Sequence, residues 1–315
     1  MNFPLIELGL AQRDPEAFSV AVCSALYEFG FLAVVDHGVD LDLIDDAERQ
    51  TKQLFGGNDE AEIERRYGRT DLFRQRGSSP VFAEQAEGYN QADLKTFWMT
   101  WDDRVDPKDP ADNPYGPNIW PTELCPQFEG VTRAVTAEYH RVGYTILEGI
   151  ERGYRFEPGS LTWMTRGAQG MLRSIYYPAR RGLVLPEGTK RSQAHRDINV
   201  LTVLRAKPGL WAQINGVWMR AEAPSHALWI NTGEMIAEYD GIKRSKRPLV
   251  PTLHCVGNPD GSVDEGEENF DRVNIPFFYH FLHSEWLRRP TLEYGDQGLK
   301  VGDWFHGRIR EITKR

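Results

Sequence analysis

From about residue 171 the chain becomes a succession of short segments rich in Val, Ile, Trp and Tyr, each closed by turn residues. This texture limits the possible folds more than any other feature. Segments 171–177, 198–204, 210–214, 217–220, 226–231, 249–256 and 272–281 each have the length and composition of a strand. Asn215-Gly216 falls between two of them, and this dipeptide is a strong short hairpin signal because both of its residues tolerate positive φ. Many short strands at close spacing point to a sandwich or barrel. Before this region, 15–30, 41–55 and 128–155 carry apolar residues at helical spacing. The polar stretch 58–91 fits neither pattern, and 107–121, rich in Pro, Asp and Asn, reads as loop. No GxGxxG stands between a strand and a helix, which argues against a dinucleotide-binding fold. The expectation is a mainly β fold with flanking helices, forming a single unit over 1–315. Within it, 1–160 is mainly helical, 171–285 is the β core, and 286–315 is a C-terminal helical segment.

Charge and cysteine content remove several function classes. Lys and Arg total 37 against 46 Asp and Glu, for a net charge of −9, so no nucleic-acid partner is expected. The one dense basic run, Lys243-Arg244-Ser245-Lys246-Arg247, reads as a solvated loop. Cys23, Cys125 and Cys255 are odd in number and lack CxxC spacing, which fits a reducing cytoplasm better than a disulfide framework. No basic stretch precedes an apolar run at the N-terminus, and no run approaches a membrane span. A soluble, cytoplasmic protein is expected. Its oligomeric state is not legible.

The chemistry-bearing pattern is His195 and Asp197, with His254 following much later. Residues two apart on an extended segment point the same way, so His195 and Asp197 can face one ion while Arg196 faces the opposite side. Two imidazoles and one carboxylate form the donor set of a mononuclear non-haem Fe(II) centre with open coordination positions. Without thiolate ligands, N/O coordination favours Fe(II) over zinc, although affinity order alone does not exclude other divalent metals. His-x-Asp with a later His is a common combination, and its setting is what gives it weight. His37 and His280 read as structural. His140, His226, His283 and His306 show no carboxylate at a comparable spacing. Cys255, beside His254, reads as a small residue on a buried strand.

That setting resembles the isopenicillin N synthase-like family of Fe(II)/2-oxoglutarate-dependent dioxygenases over almost the whole chain. ALYEFGFLAVVDHGV at 25–39 is similar to the family's GFF–V–NHGV, with Asp36 in place of Asn. NIWP at 118–121, LRSIYYP at 172–178, AHRD at 194–197, INTGE at 230–234, TLHCV at 252–256 and RVNIPFF at 272–278 follow in the family's order. Each piece is weak alone, but seven in order are specific. The resemblance implies a double-stranded β-helix (jelly-roll) core and a facial triad of His195, Asp197 and His254. It also implies Fe(II), 2-oxoglutarate and O2 as cofactor and cosubstrates, with Arg272 gripping the distal carboxylate of 2-oxoglutarate. A planar guanidinium suits that role because it donates two charge-assisted hydrogen bonds. Tyr177 and Asn274 are implied as further cosubstrate contacts.

Two residues depart from the family pattern. Asn274 stands where the family has serine, and Ile175 where it has asparagine. Some members dispense with 2-oxoglutarate and hold a substrate carboxylate in the same place. A 2-oxoglutarate-independent oxidase or cyclase using Arg272 is therefore the alternative reading. Asp197 disfavours halogenation, since halogenating relatives carry a small residue at that position. The acidic stretch 257–269 reads as a solvated loop. The substrate is expected to be a small molecule, amino-acid-derived or another specialised metabolite. Trp98, Met99 and Trp101 are placed by the resemblance near the pocket mouth, and Arg166, Arg173 and Arg205 are candidates for an acidic group. Residues 303–314 read as a helix able to cover the site.

Overall fold

Capping and apolar spacing together set the helix bounds. The computed structural model describes residues 2–86, 88–104, 109–165, 170–291 and 296–312. Helix α1 (Pro15–Glu28) starts where Asp14 accepts the Ala17 amide at 3.0 Å and Pro15 fills the first helical position. It buries Phe18, Val22, Ala25 and Leu26 along one stripe. Asp40 caps α2 (Leu41–Gly56) in the same way, accepting from the Asp42 amide. The long α3 (Phe128–Gly153) packs against both. The C-terminal α4 (Val301–Ile312) matches the expected helix as far as the described residues run; Lys314 lies outside them.

Of the fifteen strands among the described residues, thirteen make two sheets; Trp286–Arg288 and Leu299–Lys300 pair only with each other ahead of α4, so the expected C-terminal helical segment 286–315 is not helical throughout. In chain order they are β1 (Leu5–Glu7), β2 (Phe31–Val35), β3 (Gly77–Ser79), β4 (Thr96–Trp101), β5 (Gly170–Tyr177) and β6 (Ser192–His195). There follow β7 (Leu201–Arg205), β8 (Leu210–Ile214), β9 (Val217–Arg220), β10 (Leu228–Thr232), β11 (His254–Val256), β12 (Arg272–Asn274) and β13 (Phe277–Tyr279). The larger sheet runs β1-β2-β10-β7-β13-β5-β4-β3, with β12 also on β5; the smaller runs β6-β11-β8-β9. Strands β5, β7, β10 and β13 of one sheet and β6, β8, β9 and β11 of the other form the double-stranded β-helix. Asn215 and Gly216 turn β8 into β9 with φ of 50° and 80°, the positive pair of a two-residue hairpin.

Several expected bounds shift, each for a local reason. The expected strand 272–281 is split at Pro276, which has no amide hydrogen to give the ladder, yet β12 and β13 keep one register along β5. The segment 198–204 becomes regular only at Leu201, because Asn199 Nδ2 bonds the Leu201 carbonyl and Thr202 Oγ1 and turns the chain. Of 249–256 only β11 is strand: Pro251 interrupts, and Thr252 Oγ1 bonds the Phe29 carbonyl instead. Of 226–231, the strand begins at Leu228. Strands β1, β3 and β4 were not expected, nor was the helix Glu60–Tyr67 inside the unassigned polar stretch. The stretch 257–269 is more than a solvated loop: it holds a short helix, Glu265–Asn269, whose buried Glu267 pairs with Arg180 at 3.3 Å.

Gly30 is the tightest joint between the helical and β parts. It has φ +64°, and a Cβ there would sit 2.1 Å from Thr252 Oγ1 and 2.2 Å from the Val250 carbonyl. Its own carbonyl accepts from the Thr232 amide at 3.1 Å, so β2, β10 and the approach to His254 are fixed around it. Gly30→Ala is expected to cost at least about 2 kcal/mol of stability, from strain plus the clash. Gly182→Ala, with φ +80° but nothing within 4 Å, should cost about 1 kcal/mol. Urea unfolding followed by tryptophan fluorescence compares the two, and equal losses would refute the close-packing argument.

Candidate metal centre and its cavity

Antiparallel pairing of β6 with β11 sets His195 directly opposite His254, and the two rings lie 4.4 Å apart by centroid. Asp197 follows just past the end of β6. Its Oδ1 is 3.6 Å from the Nε2 of each histidine. One donor atom from each of the three residues falls within 4.8 Å of the others, the only such group of three among the described residues.

The surrounding groups dictate which atoms are free. His195 Nδ1 contacts the Gln193 carbonyl at 2.8 Å, and His254 Nδ1 contacts the Thr252 carbonyl at 3.0 Å. A carbonyl only accepts, so each Nδ1 carries the proton and each Nε2 presents a lone pair to the centre. Asp197 Oδ2 accepts from Thr202 Oγ1 and, at 2.8 Å, from Asn231 Nδ2, which leaves Oδ1 turned toward the histidines. Thr202 and Asn231 face one another across β7 and β10, so one cross-strand pair orients the carboxylate. Burial pushes the His254 imidazole down to about 4, which keeps it in the neutral, ligating form. Burial raises the Asp197 carboxyl, but the two imidazoles and Thr202 more than offset this and hold it well below the usual carboxylate range. Two neutral imidazole nitrogens and a carboxylate oxygen, with their other polar atoms already engaged, fit a divalent iron.

The triad opens into a cavity of about 850 Å³ lined by both sheets. Tyr177, Asn274 and Ile175 are on its wall, as are Arg308 and Ile309 of α4. Tyr177 is buried, and burial raises its hydroxyl above the usual range, so it is a hydrogen-bond donor at ordinary pH. Arg272 pairs with Tyr177 in the β12–β5 register but is not among the residues lining the cavity. Its Nη1 donates to the Pro208 carbonyl, while its buried Nε has no partner among the described residues. A guanidinium with an unmet donor beside a buried tyrosine hydroxyl fits a carboxylate ligand.

The other expected residues separate. Arg173 lines the cavity, whereas Arg205 points outward to an ion pair with Asp45, and Arg166 lies outside the described residues. Trp98 is fully buried between Tyr67 and Phe128, with Nε1 on the Ile119 carbonyl. Met99 and Trp101 are also buried, and none of the three lines the cavity. His280, read as structural, is on the cavity wall; His37 is held by the His226 carbonyl and the Val39 amide. Cys255 is buried and forms no disulfide. Sequence reasoning missed Glu84, Asp93 and Lys95, which line the cavity from a stretch without clear periodicity, and it gave no role to Thr202 or Asn231.

Comparison with known proteins agrees with this arrangement. Residues 3–123 match the family model described as the N-terminal region of non-haem dioxygenases in morphine synthesis. The Arabidopsis thaliana protein DOWNY MILDEW RESISTANCE 6 is 27% identical over 311 residues, covering 91% of this chain and 84% of its own length. The 2-oxoglutarate-dependent dioxygenase traH of Penicillium crustosum is 26% identical, over 82% of this chain and 76% of its own. In sequence and in fold the chain is similar to Fe(II)/2-oxoglutarate-dependent dioxygenases. Among solved structures, a 2OG-Fe(II) oxygenase family protein from Caulobacter crescentus superposes with a TM-score of 0.80 at 24% identity, covering 98% of this chain and 99% of that one. A full-length Neurospora crassa protein in complex with alpha-KG gives a TM-score of 0.79 at 17% identity, covering 98% and 96%. The family uses Fe(II), 2-oxoglutarate and O2. No helix of the described residues is long and apolar enough to cross a membrane.

If the triad holds the metal, Thr202→Val releases one constraint on Asp197 and should weaken divalent-metal binding about 10- to 100-fold. Co(II) titration followed by visible absorption reads the affinity. An unchanged affinity would show that Asn231 alone suffices to orient the carboxylate.

Proposed function

We propose that the protein oxidises an unactivated C–H bond of a small molecule, with His195, Asp197 and His254 holding Fe(II) and Arg272, Tyr177 and Asn274 taking 2-oxoglutarate. The observation that carries this reading is the free-atom pattern of the triad: two Nε2 lone pairs and one carboxylate oxygen converge while every other polar atom of the three side chains is engaged. Bound iron supplies the oxidising power, as 2-oxoglutarate and O2 become succinate and CO2 and one oxygen atom goes to the substrate. Hydroxylation is the default outcome, and desaturation or ring closure are variants set by substrate pose.

The chain's own contribution is binding and exclusion. The alkyl side chain of Ile175, where relatives carry asparagine, leaves the triad's neighbourhood drier and hands cosubstrate recognition to Tyr177, Asn274 and Arg272. The cavity suits a small molecule in volume. Its wall at α4 is tied down by Arg308, which donates to Glu234 at 3.0 Å, and the Glu234 amide in turn donates to the Asp197 carbonyl. Solved relatives bind alpha-KG with thymine, or 2OG and Fe with JA, which supports a small-molecule substrate for this chain as well. We take 1–315 as one catalytic unit because β2 and β4 of the helical part hydrogen-bond within the same sheet as β5 and β10. Three cysteines outside any disulfide support a reducing, cytoplasmic setting.

Anaerobic protein with Fe(II) and 2-oxoglutarate is expected to show the weak visible charge-transfer band of the chelate, diminished in Arg272→Ala. Succinate should form on admission of O2. No band in iron-loaded wild type would instead favour an oxidase that binds its substrate carboxylate at Arg272.

A further inference from the structure

One wall of the cavity carries four ionisable groups that iron and 2-oxoglutarate leave unexplained. Lys95 Nζ lies 2.7 Å from Asp93 Oδ2 and 3.0 Å from Glu84 Oε2. The same Glu84 oxygen accepts from Arg173 Nη1 at 2.9 Å. Asp93 also accepts the Gln193 amide at 2.8 Å, two residues before His195, so the group is anchored to the strand that ends at the metal centre. All four side chains line the cavity. Burial pushes the Glu84 carboxyl up, but Arg173 and Lys95 outweigh it and bring it down to about 2. Burial lowers the Lys95 ammonium, and the two carboxylates more than restore it, holding it above the usual lysine range. Two acidic and two basic side chains thus stand in one ion-pair network, and their formal charges cancel.

Its hydrogen-bonding capacity is not used up. Two of the three Lys95 N–H donors go to the two carboxylates. Arg173 gives one N–H to Glu84, its guanidinium lying 4.2 Å from the Phe97 ring centroid and 5.5 Å from that of Phe278. Its buried Nε has no hydrogen-bond partner among the described residues. The described contacts of the Glu84 carboxylate all fall on Oε2. Arg173 alternates along β5 with Met171, Ile175 and Tyr177, all of which line the cavity. The charge-balanced Arg173–Glu84 pair thus stands on the cavity wall with an unpaired guanidinium N–H and a carboxylate oxygen that has no described contact. An incoming carboxylate would meet Glu84 as a like charge in a poorly solvated place, and an incoming ammonium would meet Arg173 and Lys95. An uncharged group that accepts from Arg173 and donates to Glu84 meets neither penalty.

We propose that Arg173 and Glu84 recognise an uncharged amide edge of the substrate, such as the N–H and C=O of a cyclic amide or imide, with Lys95 and Asp93 as positioning residues that hold Glu84. This rests on the reading of the cavity as the substrate pocket of an oxygenase, and it replaces the expectation that Arg173 receives an acidic group.

Ligand-observed NMR on anaerobic protein loaded with Fe(II) and 2-oxoglutarate tests it, with three probes of similar size: δ-valerolactam, cyclohexanecarboxylate and cyclohexylamine. Wild type should bind the lactam in preference to both ions. The double variant Arg173→Met with Glu84→Gln removes one charge of each sign and should weaken lactam binding about tenfold while keeping the 2-oxoglutarate band. Glu84→Gln alone relieves the like-charge penalty and should raise binding of cyclohexanecarboxylate relative to the lactam. Stronger wild-type binding of either ion, no lactam binding, or lactam binding unchanged in the double variant overturns the proposal. A missing 2-oxoglutarate band with lactam preference intact would instead count against the oxygenase reading and leave the recognition pair standing.

Discussion

A carboxylate buried near the middle of the molecule organises this structure. Asp197 carries a charge that a protein interior tolerates only when it is surrounded by donors or by opposite charge. Thr202 from β7 and Asn231 from β10 satisfy one oxygen, and His195 and His254 stand at the other. Four strands drawn from both sheets therefore meet at a single side chain. Residues as far apart in sequence as 195 and 254 become neighbours only because β6 and β11 pair in the register that opposes them. A slip of one residue would turn His254 to the other face of its strand and leave Asp197 with an unmet charge.

Around that centre the cavity wall divides its tasks by chemistry. On the β12 side, Tyr177 and Asn274 line the wall, and the incompletely satisfied Arg272 is paired with Tyr177 in the β12–β5 register, where we propose that 2-oxoglutarate binds. On the β4–β5 side, Glu84, Asp93, Lys95 and Arg173 cancel one another's charge and leave directional hydrogen bonds without net field. In the proposed reading, one side selects by charge and the other by pattern. This division lets a pocket admit an anionic cosubstrate and discriminate among neutral partners at the same time.

Much of this was legible in the chain because it depends on short-range pattern. Helices α1, α2 and α3 stop within a residue or two of where capping and apolar spacing place them. Strands β8 and β9 coincide with their apolar segments. The misses have a common cause. Strands β3 and β4 sit among polar and aromatic residues whose alternation is hidden because both faces are covered: Trp98 packs on α3 while Phe97 lies under Arg173. Prolines 251 and 276 cut expected strands because they withhold an amide hydrogen, and a run of β-formers does not reveal how the ladder copes.

The sequence by itself determined the elements, the donor types and the pairing of His195 with Asp197 on one face, since these follow from local propensity and a two-residue period. It also determined, through ordered motifs spread over the whole chain, which family of folds the strands would build. Tertiary structure alone decided which atoms remain free: the Nε2 lone pairs and one Asp197 oxygen, set by carbonyls and donors from other strands. It alone removed Arg205 from the site and bound Arg173 to Glu84, eighty-nine residues away in the chain. Charge partners of that kind are set by sheet register and loop placement, and no local pattern in a sequence encodes a distance between segments that meet only once the fold has closed.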